Sequence, residues 1–265
     1  MLRYALGVEY IGTFYKGWQK QKKTNLTIQE KIEESLSKVA NENVKSICSG
    51  RTDSGVHASM QVIHFETSAR RLNKAWLAGC NSILPRDISI NWIKKVPIDF
   101  HSRFSAIKRT YRYHIFNGNK QSVFNRDFTS LVIAPLDINL MQKASKFFIG
   151  EKDFSSFRGS GCQSKSPNRN IFDIKIKKRQ KIVSIEISAN AFLLNMVRII
   201  VGTLIEVGLK KIKPEAMKDI LEVRDRTQAG KTAEAKGLFY IGPEYNSSFK
   251  IYKPKYKNHL TLKSL

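Results

Sequence analysis

Thr27-Ile28-Gln29-Glu30-Lys31-Ile32-Glu33-Glu34-Ser35-Leu36-Ser37-Lys38-Val39-Ala40 organises the reading of the first hundred residues. Ile28, Ile32, Leu36 and Val39 recur at helical spacing, which predicts an amphipathic helix over residues 28–40. Thr27 and Glu30 stand at capping-box spacing, where each side chain can satisfy a free N–H at the helix start. Before the helix, residues 2–10 are rich in apolar and aromatic side chains and run up to Gly12, as a strand does. After it, strands are predicted at residues 44–48, 60–67 and 88–96, with a second helix at residues 73–82. The order β-α-β-β-α-β is that of the split, ferredoxin-like unit.

The same order recurs downstream. Residues 110–117 read as a strand, 136–149 as a helix, 171–177 and 181–189 as a hairpin, 192–209 as a long helix and 237–241 as a last strand. No residue-level repeat accompanies this repeat of elements. The expected fold is α+β, with two ferredoxin-like (RRM-like) halves, antiparallel sheets and a cleft between them. The boundary falls between residues 100 and 108, which divides the chain into residues 1–105 and 106–265.

The chain has 265 residues, of which 46 are Lys or Arg and 22 are Asp or Glu, a formal net charge of +24. At 42% apolar residues a core can form, so wholesale disorder is excluded. The charge disfavours an acidic substrate pocket on a neutral body and favours a polyanionic partner, nucleic acid or an anionic membrane. The N-terminal residues have no long apolar run with a small-residue cleavage site, so no signal peptide is expected. The most apolar stretch, residues 191–207, is broken by Asn195, Arg198 and Glu206 and is too short to span a bilayer. No membrane partner is therefore expected. Cys48, Cys80 and Cys162 form no disulfide framework, which suits a reducing cytoplasm. The five histidines do not cluster at metal-ligand spacing, and no metal is expected.

Ser49-Gly50-Arg51-Thr52-Asp53-Ser54-Gly55-Val56-His57-Ala58 lies between two predicted strands. Two glycines bracket Arg-Thr-Asp, as if the backbone adopted positive φ and another molecule approached closely. The same composition also suits an ordinary surface turn. Residues 191–202 are apolar on nearly all sides yet contain Arg198. A buried guanidinium needs an acidic partner or a phosphate, unless it snorkels to the helix edge. If the two halves face each other, Asp53 is a suitable partner, and the pairing would keep that carboxyl ionised for attack at neutral pH. Lys108-Arg109-Thr110-Tyr111-Arg112-Tyr113 interleaves aromatic and basic groups, a pattern that can stack bases and hold phosphates, or simply alternate along a half-buried strand. Three basic stretches add an electrostatic surface for RNA phosphates. They are residues 16–23, with Lys20, Lys22 and Lys23; residues 165–169, with Arg169; and residues 250–257.

These residues, taken in order, resemble the tRNA pseudouridine synthase A family over nearly the whole chain. The resemblance rests on Gly7-Val8-Glu9-Tyr10-Ile11-Gly12 with Gly17-Trp18-Gln19, on Gly50 to His57, and on Gln61-Val62-Ile63-His64-Phe65. It continues through His101-Ser102-Arg103-Phe104-Ser105-Ala106, Arg109 to Tyr113, Asp153-Phe154-Ser155-Ser156-Phe157, Cys162-Gln163-Ser164, Met196 to Gly202 and Lys236-Gly237-Leu238. It implies isomerisation of uridine to pseudouridine at positions 38, 39 and 40 of the tRNA anticodon arm. Asp53 matches the family's catalytic aspartate, and Arg198 matches the basic residue paired with it. Tyr111 matches the tyrosine that stacks on the target base, and Leu238 the apolar residue packing it from another side. Arg51 matches the arginine that helps hold the flipped nucleotide's place. The resemblance also implies a homodimer with one tRNA across both subunits, and no cofactor. Ser54, Asn195, Ile199 and Phe239 depart from the family's more usual Ala, His, Asn and Tyr.

The alternative is a non-catalytic RNA-binding module with RRM-like sheets, but the aromatic-rich strand motifs of an RRM are missing. A metal-dependent nuclease using Asp53 and His57 would need a further carboxylate cluster. A zinc base deaminase would need His-x-Glu and Pro-Cys-x-x-Cys.

Overall fold

The first strand, β1 (Leu2–Tyr10), is buried on both faces. Tyr4, Leu6, Val8 and Tyr10 point into the main core, while Ala5 joins a second cluster with Val62, Val96, Phe100 and Tyr245, the period-two alternation of a pleated strand. The computed structural model describes residues 1–252.

Helix α1 (Ile28–Ala40) follows, with Ile28, Ile32 and Leu36 fully buried. The capping box expected at Thr27 and Glu30 is not made: Thr27 makes no side-chain cap bond, and Glu30 turns to Lys20 at 3.1 Å. The helix does not need it. Each buried Ile or Leu contributes about 1.5–3 kcal/mol, against ~1 kcal/mol for a cap. Then come β2 (Ser46–Cys48), β3 (His57–Thr67), α2 (Asn73–Ile83) and β4 (Ile88–Val96).

The second run opens with β5 (Ala106–Asn117), followed by β6 (Ser130–Val132) and α3 (Ile138–Ser145). Helix α3 starts later than the periodicity suggests because the Asp137 side chain accepts the Leu140 N–H and sets the cap. Next are β7 (Gly150–Asp153), β8 (Asn168–Arg179) and β9 (Ile182–Ala189). Helix α4 (Met196–Gly208) begins only at Met196, because Asn195 is left-handed at φ 59°. Helix α5 (Ala216–Val223) and β10 (Leu238–Tyr245) complete the run. The short strands β6 and β7 and helix α5 lie outside the elements that the sequence pattern predicts.

The fold is α+β. Leaving aside the short β6 and β7, the strand order is β4-β1-β3-β2 in the first run and β10-β5-β9-β8 in the second, the same arrangement twice. The two runs share one ten-stranded sheet, joined where β10 lies parallel to β3 with Phe239 opposite His57. β10 also runs antiparallel to β5. This seam brings the loop between β2 and β3 next to the start of α4.

Candidate active site

The loop from Ser49 to Val56 is held from below. The Trp18 N–H donates to the Thr52 carbonyl at 3.0 Å, and the hydroxyls of Tyr10 and Thr52 are 2.7 Å apart. Gly17, at φ +91°, lies so close that a Cβ there would sit 2.9 Å from the Thr52 carbonyl oxygen. The Ser49 hydroxyl donates to Gln61 Oε1 at 2.6 Å and lies 2.9 Å from the Tyr240 hydroxyl. Gly55 has the positive φ expected of it, +78°; Gly50 does not, and instead lies below the hydroxyls of Tyr240 and Tyr111.

Asp53 projects from this loop toward α4. Arg198 Nη1 donates to its Oδ2 at 3.2 Å; the two side chains are 18% and 31% exposed, Arg198 first. The same Nη1 lies 3.1 Å from Asn195 Oδ1, and Nε donates to the Ala233 carbonyl at 2.7 Å. The Ala233 N–H in turn donates to the Arg198 carbonyl at 3.0 Å. The segment carrying Ala233 crosses α4 where there is no side chain to obstruct it: a Cβ on Gly202 would lie 1.7 Å from the Lys231 carbonyl oxygen.

Around the pair opens a cleft of about 770 Å³. Lys16, Arg51, Arg103, Arg109, Arg169 and Arg198 contribute to its lining, and Asp53 is the one carboxylate residue among the lining residues. Such a wall concentrates polyanions and leaves a single acid among them.

Arg51, Asp53, Tyr111, Arg198 and Leu238 all line this cleft. Arg51 Nη1 reaches Gln163 Oε1 at 3.3 Å. Tyr111 is 8% exposed, with Tyr240 at 4.8 Å and the Phe192 ring edge-on at 5.1 Å. Burial pushes its hydroxyl well above the usual tyrosine range, so at neutral pH it is protonated. Leu238 is buried at the start of β10, opposite Tyr113.

The other residues singled out by the sequence are placed as follows. Along β5, Arg112 pairs with Glu186 and Lys108 with Glu244, and the buried Tyr113 donates its hydroxyl to the Glu234 carbonyl at 2.8 Å. Cross-strand carboxylates therefore engage part of that basic stretch, and only Arg109 and Tyr111 of it reach the cleft. Lys20, Lys22 and Lys23 are exposed outside the cleft lining. Arg169 does line it, though its guanidinium also donates to its own loop, at Ser166 O (3.0 Å) and Ser164 Oγ (2.6 Å). Of the basic stretch at residues 250–257, all but the first three residues lie outside the described residues. His57 is no partner for Asp53 in metal chemistry. Its Nδ1 accepts the Gly12 N–H at 3.1 Å, and Nε2 lies 3.0 and 3.1 Å from the Asp127 and Lys236 carbonyls. The neutral Nε2–H tautomer serves both sides, and burial lowers its pKa accordingly.

Gln163, Phe192 and the Ala233 carbonyl were not singled out as site groups. A carbonyl contact has no residue-type signature. The close glycine, Gly202, was the available hint.

Two matching runs thus place a lone carboxylate and its arginine in a basic cleft, a site suited to a polyanionic substrate, and comparison with known proteins gives the family. The family described as tRNA pseudouridine synthase matches residues 7–105 and 144–246, and the chain belongs to it. The tRNA pseudouridine synthase A of Hydrogenovibrio crunogenus is 46% identical over 247 residues, covering 93% of this chain and 94% of that one. Its namesake in Buchnera aphidicola is 46% identical over 253 residues, with 96% and 95% coverage. That of Coxiella burnetii is 47% identical over 251 residues, with 95% and 96% coverage.

Proposed function

We propose that this chain isomerises uridine to pseudouridine in tRNA, at positions 38, 39 and 40 of the anticodon arm, with Asp53 as the essential carboxylate. The observation that carries this reading is the Asp53–Arg198 pair at 3.2 Å, inside a basic cleft, in a member of this family. The reaction breaks the N1–C1′ bond, turns the uracil and forms a C5–C1′ bond. The proton leaves C5 and N1 gains one, so reactant and product are isomers and no oxidant, reductant or phosphoryl donor is consumed.

The target base must leave its stack to enter, at a cost of a few kcal/mol. The basic wall offsets part of that cost through phosphate contacts. In this reading the Tyr111 ring and Leu238 pack the extruded uracil, and Arg51 occupies the place it leaves. Arg198 holds the Asp53 carboxylate in position with a charge-assisted hydrogen bond. Residues 1–105 supply the carboxylate and residues 106–265 its arginine. The protein acts as a homodimer in the cytoplasm. A non-catalytic RNA-binding module would have no use for an acid among cations. The test is tRNA carrying tritium at uracil C5, incubated with the purified protein and no added cofactor. Tritium released to water supports the reading; tight binding without release from any tRNA overturns it.

A further inference from the structure

The motif His101-Ser102-Arg103-Phe104-Ser105 has no part in the chemistry above, yet it forms a rigid turn at the edge of the cleft. His101 Nδ1 accepts the N–H groups of Arg103 and Phe104 at 3.2 and 3.1 Å. The Ser105 N–H donates to the His101 carbonyl at 2.9 Å, and the His101 N–H to Ser105 Oγ at 3.0 Å. Ser102, fully buried, ties the turn inward by donating its hydroxyl to the Ile47 carbonyl at 2.7 Å, and Ile47 lines the cleft. Arg109 Nε donates to the Ser49 carbonyl at 3.2 Å, and its Nη2 donates to the Arg103 carbonyl. The turn is thus braced to the start of the loop that carries Asp53.

What this turn presents is an aromatic ring. Phe104 is 76% exposed. The His101 ring stacks on it at 4.3 Å and 28°, and the Arg103 guanidinium carbon lies 5.6 Å from its centroid. A backed ring that is 76% exposed, with a guanidinium over it at 5.6 Å, on the edge of a basic cleft, has the make-up of a single-stranded nucleic-acid contact: an open aromatic surface for a base and a charge for its phosphate. Arg103 itself lines the cleft, so the ring stands one residue from the proposed entry of the target uridine.

We infer that Phe104, backed by His101 and flanked by Arg103, is a stacking platform for a second, unpaired base of the RNA, next to the nucleotide drawn into the cleft. This deepens the functional reading above and rests on it for the identity of the RNA. The turn is held by main-chain and His101 bonds that do not involve the Phe104 ring, so substitutions of that ring test recognition rather than folding.

The experiment measures the Kd for a tRNA transcript by filter binding, and KM and kcat by tritium release, for wild type, Phe104→Leu and Phe104→Trp. Phe104→Leu keeps an apolar side chain but removes the π face. It is expected to raise Kd and KM roughly tenfold, within the range seen for losing one stacked base, with the loss concentrated in binding rather than in kcat. Phe104→Trp is expected to restore the wild-type Kd. Sedimentation of each variant reads the oligomeric state. A Phe104→Leu variant that binds tRNA as wild type does overturns the inference, and so does one whose oligomeric state changes, which would assign the ring to a protein contact. If wild type itself releases no tritium, the functional reading falls, while the Kd comparison still decides the platform.

Discussion

Arg198 Nη1 stands 3.2 Å from Asp53 Oδ2, although the two residues are 145 positions apart in the chain. The guanidinium is fixed from three directions: by the carboxylate, by the Asn195 side chain and by the Ala233 carbonyl. Its planar fork points one donor edge at Asp53 while its Nε is occupied elsewhere. The carboxylate is thereby positioned by a group that cannot easily turn away.

A lysine cannot reproduce that fork, because a single ammonium has no planar array of donors to span all three acceptors. Arg198→Lys and Arg198→Met are both expected to lose about 100-fold or more in tritium-release rate, comparable to removing one preorganised donor from an active site. Kd for tRNA should stay within about threefold, since the rest of the basic lining remains. Full activity in Arg198→Met would remove the positioning argument.

The crossing of the Ala233 segment over α4 depends on Gly202. An added Cβ would lie 1.7 Å from the Lys231 carbonyl oxygen, which is backbone and cannot swing aside. Gly202→Ala is expected to destabilise the fold by about 1–3 kcal/mol, as overpacking does, and to lower activity by displacing Ala233 from Arg198. Thermal denaturation and tritium release check both effects. An unchanged melting temperature would mean the crossing is looser than the structure shows.

Much of the architecture was legible because it is local. Residues 2–10 and 28–40 announce their periods, and the observed β1 and α1 match those bounds. The ends that moved did so where one residue overrides periodicity: Asp137 capping α3, and Asn195 turning left-handed before α4. Strand β7, Gly-Glu-Lys-Asp, carries no apolar alternation at all, and its strand character comes from pairing with β8. Helix α5 carries only a short signal, Pro214 followed by Met217, Ile220 and Leu221. The Arg198–Asp53 contact was inferable because a buried guanidinium demands a partner. The Ala233 contact was not, because any residue has a carbonyl.

Arg51 tests recognition without stability. It is exposed, and its contact with Gln163 is a single bond at the surface. Arg51→Ala is expected to change stability by less than about 0.5 kcal/mol while markedly reducing tritium release. Urea unfolding alongside the assay separates the two. A variant with normal release would exclude Arg51 from holding the flipped nucleotide's place.

Buried histidines set the acid side of the stability profile. Burial pulls His114 down to about 3 and His64 to about 4, and lowers His57 as well. The unfolded chain therefore binds protons that the folded chain refuses. Stability is fully present above about pH 6.5 and falls as pH drops below it. For His114 the loss between pH 8 and pH 5 is about 2 kcal/mol. Glu42, lowered to about 2 by hydrogen bonds from Ser68 and Thr67, acts in a separate window: its contribution is lost only below about pH 4.5. Urea midpoints at pH 8 and pH 5 check this, and His114→Gln should reduce the difference without abolishing it, because His64 still contributes. Equal midpoints at the two pH values would contradict it.

The most direct test concerns Asp53 alone. Asp53→Asn keeps the shape of the side chain and removes its charge. With tRNA labelled with tritium at uracil C5, the wild-type protein should release the label, because C5 becomes the glycosidic carbon. The Asp53→Asn variant should still bind tRNA and release none. Release at the wild-type rate from Asp53→Asn would show that the carboxylate is not the essential group.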